Sequence, residues 1–224
     1  MAAGYVLDGA LLITAEAPGS PSQAAAATVD CLLLAQREPP TVADLPGWFS
    51  SCTKVLTELG WVESAASTRS ATLAPAHWFG GRTAVPWGKI RDLAVLSLPA
   101  AERSAASTGL DALVRGLSGL SAQNAARWRS RTVLGESAIV LLAVQAQSAA
   151  ETSLWVAGCS LSYPEQQPSQ PISGFPDHPV ATHGAQITTW NVQLDISNAQ
   201  LAALLPQLDP LVAPVRSAVV ELTV

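Results

Sequence analysis

The densest apolar pattern in the chain runs from Ser137 to Tyr163. Along residues 137–147 the even positions carry Ala138, Val140, Leu142, Val144 and Ala146, and the odd ones Ile139, Leu141, Ala143, Gln145 and Gln147. Successive side chains of a strand point to opposite faces, so this segment predicts a strand that is apolar on both faces at one end and must be covered on both there. After a turn about Ser148 to Glu151, a second strand is expected, with Trp155, Ala157, Cys159, Leu161 and Tyr163 on one face. Its other face begins apolar at Leu154 and Val156 and ends small and polar at Gly158, Ser160 and Ser162. The two segments read as a hairpin at the centre of the fold. The longest apolar run, Ala138 to Val144, has seven residues, where a membrane-crossing helix needs about 20.

The rest of the pattern supplies the neighbours. Residues 3–15 predict a strand or a short hairpin about Asp8-Gly9, a dipeptide suited to tight turns. Ser20 has the features of an N-cap, with Pro21 first in the helix and Gln23 three residues on, and this helix is expected to run to about Gln36 before Pro39-Pro40. A second helix shows Trp48, Cys52, Val55, Leu56 and Leu59 at helical spacing, Thr41 with Asp44 as a capping pair, and Gly60 as its stop. Trp61 to Leu73 reads as extended, polar and alternating. Helices are expected at about 89–98, 104–117 and 121–134.

Beyond Tyr163, residues 164–185 hold five prolines and two histidines and predict a long loop. Residues 186–196 read as a half-buried strand, with Trp190, Val192, Leu194 and Ile196 on one face. Ser197 is placed to cap a short helix over 199–208, and 215–224 predicts a last strand. The sum is a single α+β domain over 1–224. An antiparallel sheet, built from the C-terminal strands plus an N-terminal strand, is expected under a layer of helices from the N-terminal half. Regular strand–helix alternation is missing, which argues against a Rossmann or TIM arrangement.

Charge changes the picture of the surface. Only 13% of residues are charged, against about 25% in an average globular domain, and Thr132 to Val215 contains no Lys or Arg. Weakly charged surfaces favour association, so self-association or binding to another protein is expected. A net charge of −5 argues against nucleic acid as a partner. The one basic cluster, Arg127, Arg129 and Arg131 around Trp128, is a candidate for phosphate or anionic lipid, weighed against a solvated helix end. No positively charged leader precedes an apolar segment, so a cytoplasmic location is expected, with leaderless export or packaging in a particle as alternatives.

Candidate chemistry is sparse. Cys31, Cys52 and Cys159 have neither disulfide nor metal spacing and are expected as buried thiols. Gly116-Leu117-Ser118-Gly119 has the wrong spacing for a hydrolase nucleophile turn, and no phosphate loop or zinc-protease motif occurs. His178 and His183 are a weak metal pair in the Pro-rich loop. His77, Trp78, Arg82 and Trp87 form a candidate binding patch, because Trp and Arg combine large contact area with directional donors. Seven Trp against two Tyr and three Phe also suits surfaces that are apolar on one side and wet on the other.

With no cofactor motif, the expectation is a non-enzymatic protein that works by binding or self-assembly. A membrane-active, pore-forming or toxin-like protein, whose helices move off a central sheet, is the alternative. An enzyme with an unrecognised site is the second.

Overall fold

The structure is a computed structural model and describes residues 2–15, 23–73, 84–134, 137–162 and 185–223. The central hairpin forms as β5 (Ser137–Gln147) and β6 (Glu151–Ser162), in unbroken antiparallel register from Ser137 opposite Ser162 to Gln147 opposite Thr152. Ser148 closes its turn. Its N–H donates to the Glu151 carbonyl at 2.9 Å, and its hydroxyl oxygen accepts from the N–H groups of Ala150 and Glu151. Outside β6 lies β7 (Ala185–Ser197), and outside β7 lies β3 (Val62–Leu73), both antiparallel.

The sheet is mixed, which corrects the expectation of an antiparallel one. β1 (Ala2–Val6) and β2 (Ala10–Ala15) make the predicted hairpin about Asp8 and Gly9, but β2 then pairs parallel with β5, Ala10 opposite Leu141 through Ala15 opposite Ala146. The strand order is β3-β7-β6-β5-β2-β1-β8, with β8 (Val220–Thr223) at the far edge and β4 (Val133–Leu134) paired to the end of β5. The reason lies in Ala10 to Ile13, four apolar residues that are all buried. A strand buried on both faces belongs inside a sheet, and the helices between β2 and β5 supply the long crossover that a parallel pair requires.

Helices cover both faces rather than one. α1 (Gln23–Ala35), α2 (Leu45–Glu58) and α6 (Asn198–Val212) bury Cys31, Leu32, Cys52, Leu56 and Leu201 against Leu12, Leu141, Val156 and Leu194. α3 (Ala84–Val95), α4 (Ala100–Gly116) and α5 (Ala122–Thr132) bury Ile90, Leu110, Leu113 and Trp128 against Leu11, Val140, Leu142 and Cys159. The two-sided apolar pattern of β5 demands this, since either face left bare would expose a row of Leu and Val. α6 comes from the C-terminal half because Val192, Leu194 and Ile196 of β7 face the α1 side, and Ser197 caps α6 directly after them, its hydroxyl accepting from Gln200 N–H at 3.3 Å.

Two local details refine the sequence reading. Asp44, not Thr41, caps α2, its carboxylate accepting from Gly47 N–H at 2.8 Å after a short 3₁₀ turn over Val42–Asp44. Pro206 and Pro210 lie inside α6, which extends to Val212 instead of ending near Leu208. At the centre of β6, a Cβ on Gly158 would fall 2.5 Å from Phe49 Cδ2, so only glycine lets the α2 ring come this close to the strand. That ring also stacks, tilted by 30°, against Trp190 with centroids 6.4 Å apart.

Candidate functional site

His77, Trp78 and Arg82 lie outside the described residues, as do His178 and His183. Of the predicted patch, Trp87 is placed. It sits on α3 at 6% exposure, packed in the core that α3 shares with α4, and its indole N–H donates to Asp111 Oδ1 at 2.8 Å. Asp111 Oδ2 holds Arg91 Nη1 at 2.5 Å, so Trp87 and Arg91 meet on one carboxylate of α4. All three thiols are buried; burial pushes Cys31 and Cys52 up to about 12, and raises Cys159 as well. These thiols stay protonated and unreactive. Among the described residues no three of His, Cys, Asp and Glu lie together so as to hold a metal, and no helix is long and apolar enough to cross a membrane.

The arginine cluster of the sequence finds its partner 119 residues away. Arg127 and Arg131 are four apart on α5, hence on one side of the helix, and both reach Asp8 in the β1–β2 turn. Arg127 Nε stands 3.2 Å from Asp8 Oδ1, as an ion pair without an aligned hydrogen bond, while Arg127 Nη2 donates to Oδ2 at 3.2 Å. Arg131 Nε is 3.2 Å from Oδ2, and its Nη1 donates to the Gln36 carbonyl at 3.4 Å. Trp128, between them, turns the other way into the core at 6% exposure. Gly9 makes the approach possible: its φ is +92°, and a Cβ there would lie 3.1 Å from Arg131 Cβ. Asp8 was not visible as a site residue in the sequence, because a turn aspartate has a sufficient local reason to be there.

A cavity of about 360 Å³ opens beside this cluster, between the end of α1, the end of α6 and Arg131. Leu33, Leu34, Leu211, Val212 and Val215 wall it, and Arg37 joins Arg131 at its polar side.

The second feature without an internal purpose is the β3 edge. Every residue from Val62 to Ser70 is exposed, with Val62 at 66%. Among the described residues no strand pairs with its outer side. The strand contains no Lys and no Pro, and its only charges are Glu63 and Arg69. One register shift, between Glu63 and Ala65, interrupts its pairing with β7; from Ala65 to Leu73 the ladder is regular. The sequence did carry a signal for this position, since a strand polar on both faces has no face to bury and belongs at an edge.

A mixed sheet held between two sets of helices, with one long bare edge and a cationic cavity at the other side, defines this as an α+β protein. No protein-family model matches its sequence, and no curated protein does. Among solved structures it is similar to one titled "delta-endotoxin", with a TM-score of 0.45 and 10% identity over 86% of each chain. A likeness that distant carries no argument about what the protein does.

Proposed function

We propose that the protein is non-enzymatic and works by self-association, its sheet continuing into a second copy through β3. The observation that carries this is the unpaired edge strand Val62–Leu73, exposed from Val62 to Ser70, with an outer row of N–H and C=O groups and no Lys or Pro to discourage pairing. Two copies related by a two-fold axis near Ala66 would pair antiparallel and bring Glu63 of each toward Arg69 of the other. The small side chains Ala65, Ala66 and Ser67 leave the edge unobstructed at the axis.

The test is the oligomeric state of the full chain at micromolar concentration, by sedimentation velocity. The wild type is expected to run as a dimer or larger, and Ala66→Lys to shift it toward monomer by at least about tenfold in concentration, because two lysines would then face each other at the axis. Ala66 is exposed, so the same variant is expected to unfold within about 0.5 kcal/mol of the wild type. A wild type that is monomeric throughout this range overturns the proposal.

A second reading has its own support. β5, β6, β7 and β3 are contiguous, antiparallel and 11, 12, 13 and 12 residues long, and a strand needs about 9–11 residues to span a bilayer core. If the helices of one face left the sheet, this four-strand unit would be long enough to enter a membrane. Dye release from liposomes of neutral and of anionic lipid measures this directly. Release that depends on protein concentration supports membrane activity, and none over a range of pH removes it.

A further inference from the structure

We infer that the cavity beside Asp8 is a binding site for a single-chain amphiphile with one anionic head group, carboxylate or phosphate. Its 360 Å³ falls within the range of about 300–1,000 Å³ usual for small-ligand sites. At about 30 Å³ for each water-sized group, it holds on the order of twelve non-hydrogen atoms. The walls ask for an apolar body: Leu33 and Leu34 from α1, and Pro210, Leu211 and Val212 from α6. Leu211 is 62% exposed at the end of α6, one of three large apolar side chains left in water among the described residues. An alkyl chain in the cavity would cover it.

The head group is chosen by charge. Arg131 puts one positive charge on the cavity wall, beside the Asp8 carboxylate that it shares with Arg127 outside the cavity. Arg37 adds a second and makes no ion pair among the described residues. Arg131 sets Nε against Asp8 and Nη1 on the Gln36 carbonyl, and among the described residues its Nη2 has no partner. Guanidinium forks suit carboxylate and phosphate oxygens, with charge-assisted hydrogen bonds about twice as strong as neutral ones. A neutral hydrocarbon would leave Arg37 unanswered, and a bare inorganic anion would leave the Leu and Val walls wet. An amphiphile answers both.

The experiment is isothermal titration calorimetry on the full chain with three probes: octanoate, octanol and inorganic phosphate. Octanoate is expected to bind at least about tenfold more tightly than octanol, the worth of one charge-assisted contact, and phosphate to give no heat at millimolar concentration. Arg37→Gln is expected to remove most of the octanoate preference while leaving octanol binding and the unfolding temperature unchanged, since Arg37 is exposed. A second variant, Leu34→Trp, fills the cavity from its half-buried wall and is expected to abolish binding of both chains. Equal affinities for octanoate and octanol, phosphate binding as well as octanoate, or an unaffected Arg37→Gln variant would each overturn the inference. The cavity lies across the sheet from β3, so a monomeric protein could still pass this test and an oligomeric one could fail it.

Discussion

Replacing Phe49 with alanine is expected to cost about 3–5 kcal/mol of unfolding free energy, the usual loss when a buried aromatic ring is removed. Phe49 is 7% exposed and lies directly on the backbone of β6 at Gly158, with Trp190 as its ring neighbour. The ring joins Cys52 and Leu56 in packing α2 on the sheet, and its removal leaves a hole over Gly158. The reciprocal change tests the same contact from the other side. Gly158→Ala puts a methyl group within 2.5 Å of Phe49 Cδ2, and overpacking of this kind costs about 1–3 kcal/mol. The double variant decides whether the two belong together. If the new methyl occupies space the ring has vacated, Phe49→Ala with Gly158→Ala will lose less than the sum of the single changes. Strict additivity in urea unfolding would mean that the ring and the strand do not press on each other.

The second large effect is expected at Arg216. Asp30, on α1, is 1% exposed and meets Arg216 Nη2 at 2.5 Å, while Arg216 Nη1 reaches Asp209 of α6 at 2.5 Å. One guanidinium thus ties α1 to α6, two of the three helices on that face of the sheet. Arg216→Ala leaves a buried carboxylate alone, a change that costs about 3–5 kcal/mol in general and is expected near the low end here, because the guanidinium is itself half in water. Burial raises the Asp30 carboxyl above its usual 3.8, and the hydrogen bond and charge of Arg216 pull it back. Without Arg216 it rises further.

A carboxyl raised in the folded state binds more protons there than in the unfolded chain, so its contribution to stability grows as pH falls through the window above about 3.8. The deficit of Arg216→Ala is therefore expected to be largest near neutral pH and to shrink as the solution is acidified. Urea unfolding of both proteins at several pH values measures it, and a deficit that does not vary with pH would assign Arg216 a packing role alone.

What could be read from the sequence was whatever had a local cause. The hairpin at residues 137–162 follows from alternation, the end of α2 from Gly60 at φ +96°, and the start of α6 from the Ser197 hydroxyl. The parallel seam between β2 and β5 has no such cause. Ala10 to Ile13 reads as a buried strand with any neighbour, and its direction is set by the path of five intervening helices. The second helix set was implied by the two-sided apolar pattern of β5, yet which helix takes which face depends on where each connection lands. At the candidate site, Arg127 and Arg131 stood out as a cluster, but the carboxylate that holds them and the Arg37 that faces the cavity carry no mark in the sequence. Of the patch singled out from composition, Trp87 alone can be placed, and its ring faces the core.

The pairing of distant segments also bears on how the chain acquires its shape. Ala10 meets Leu141 and Val62 meets Asp195, so more than half of the 224 residues separate each strand from its mate. Closing such intervals is entropically slow and places folding toward the millisecond-to-second end of the scale for single domains. During synthesis, β2 and β3 emerge long before β5 and β7 exist to receive them. The greasy run at Ala10–Ile13 and the unguarded backbone of β3 are then open to other nascent chains, so crowding by sister molecules threatens this protein most while it is unfinished.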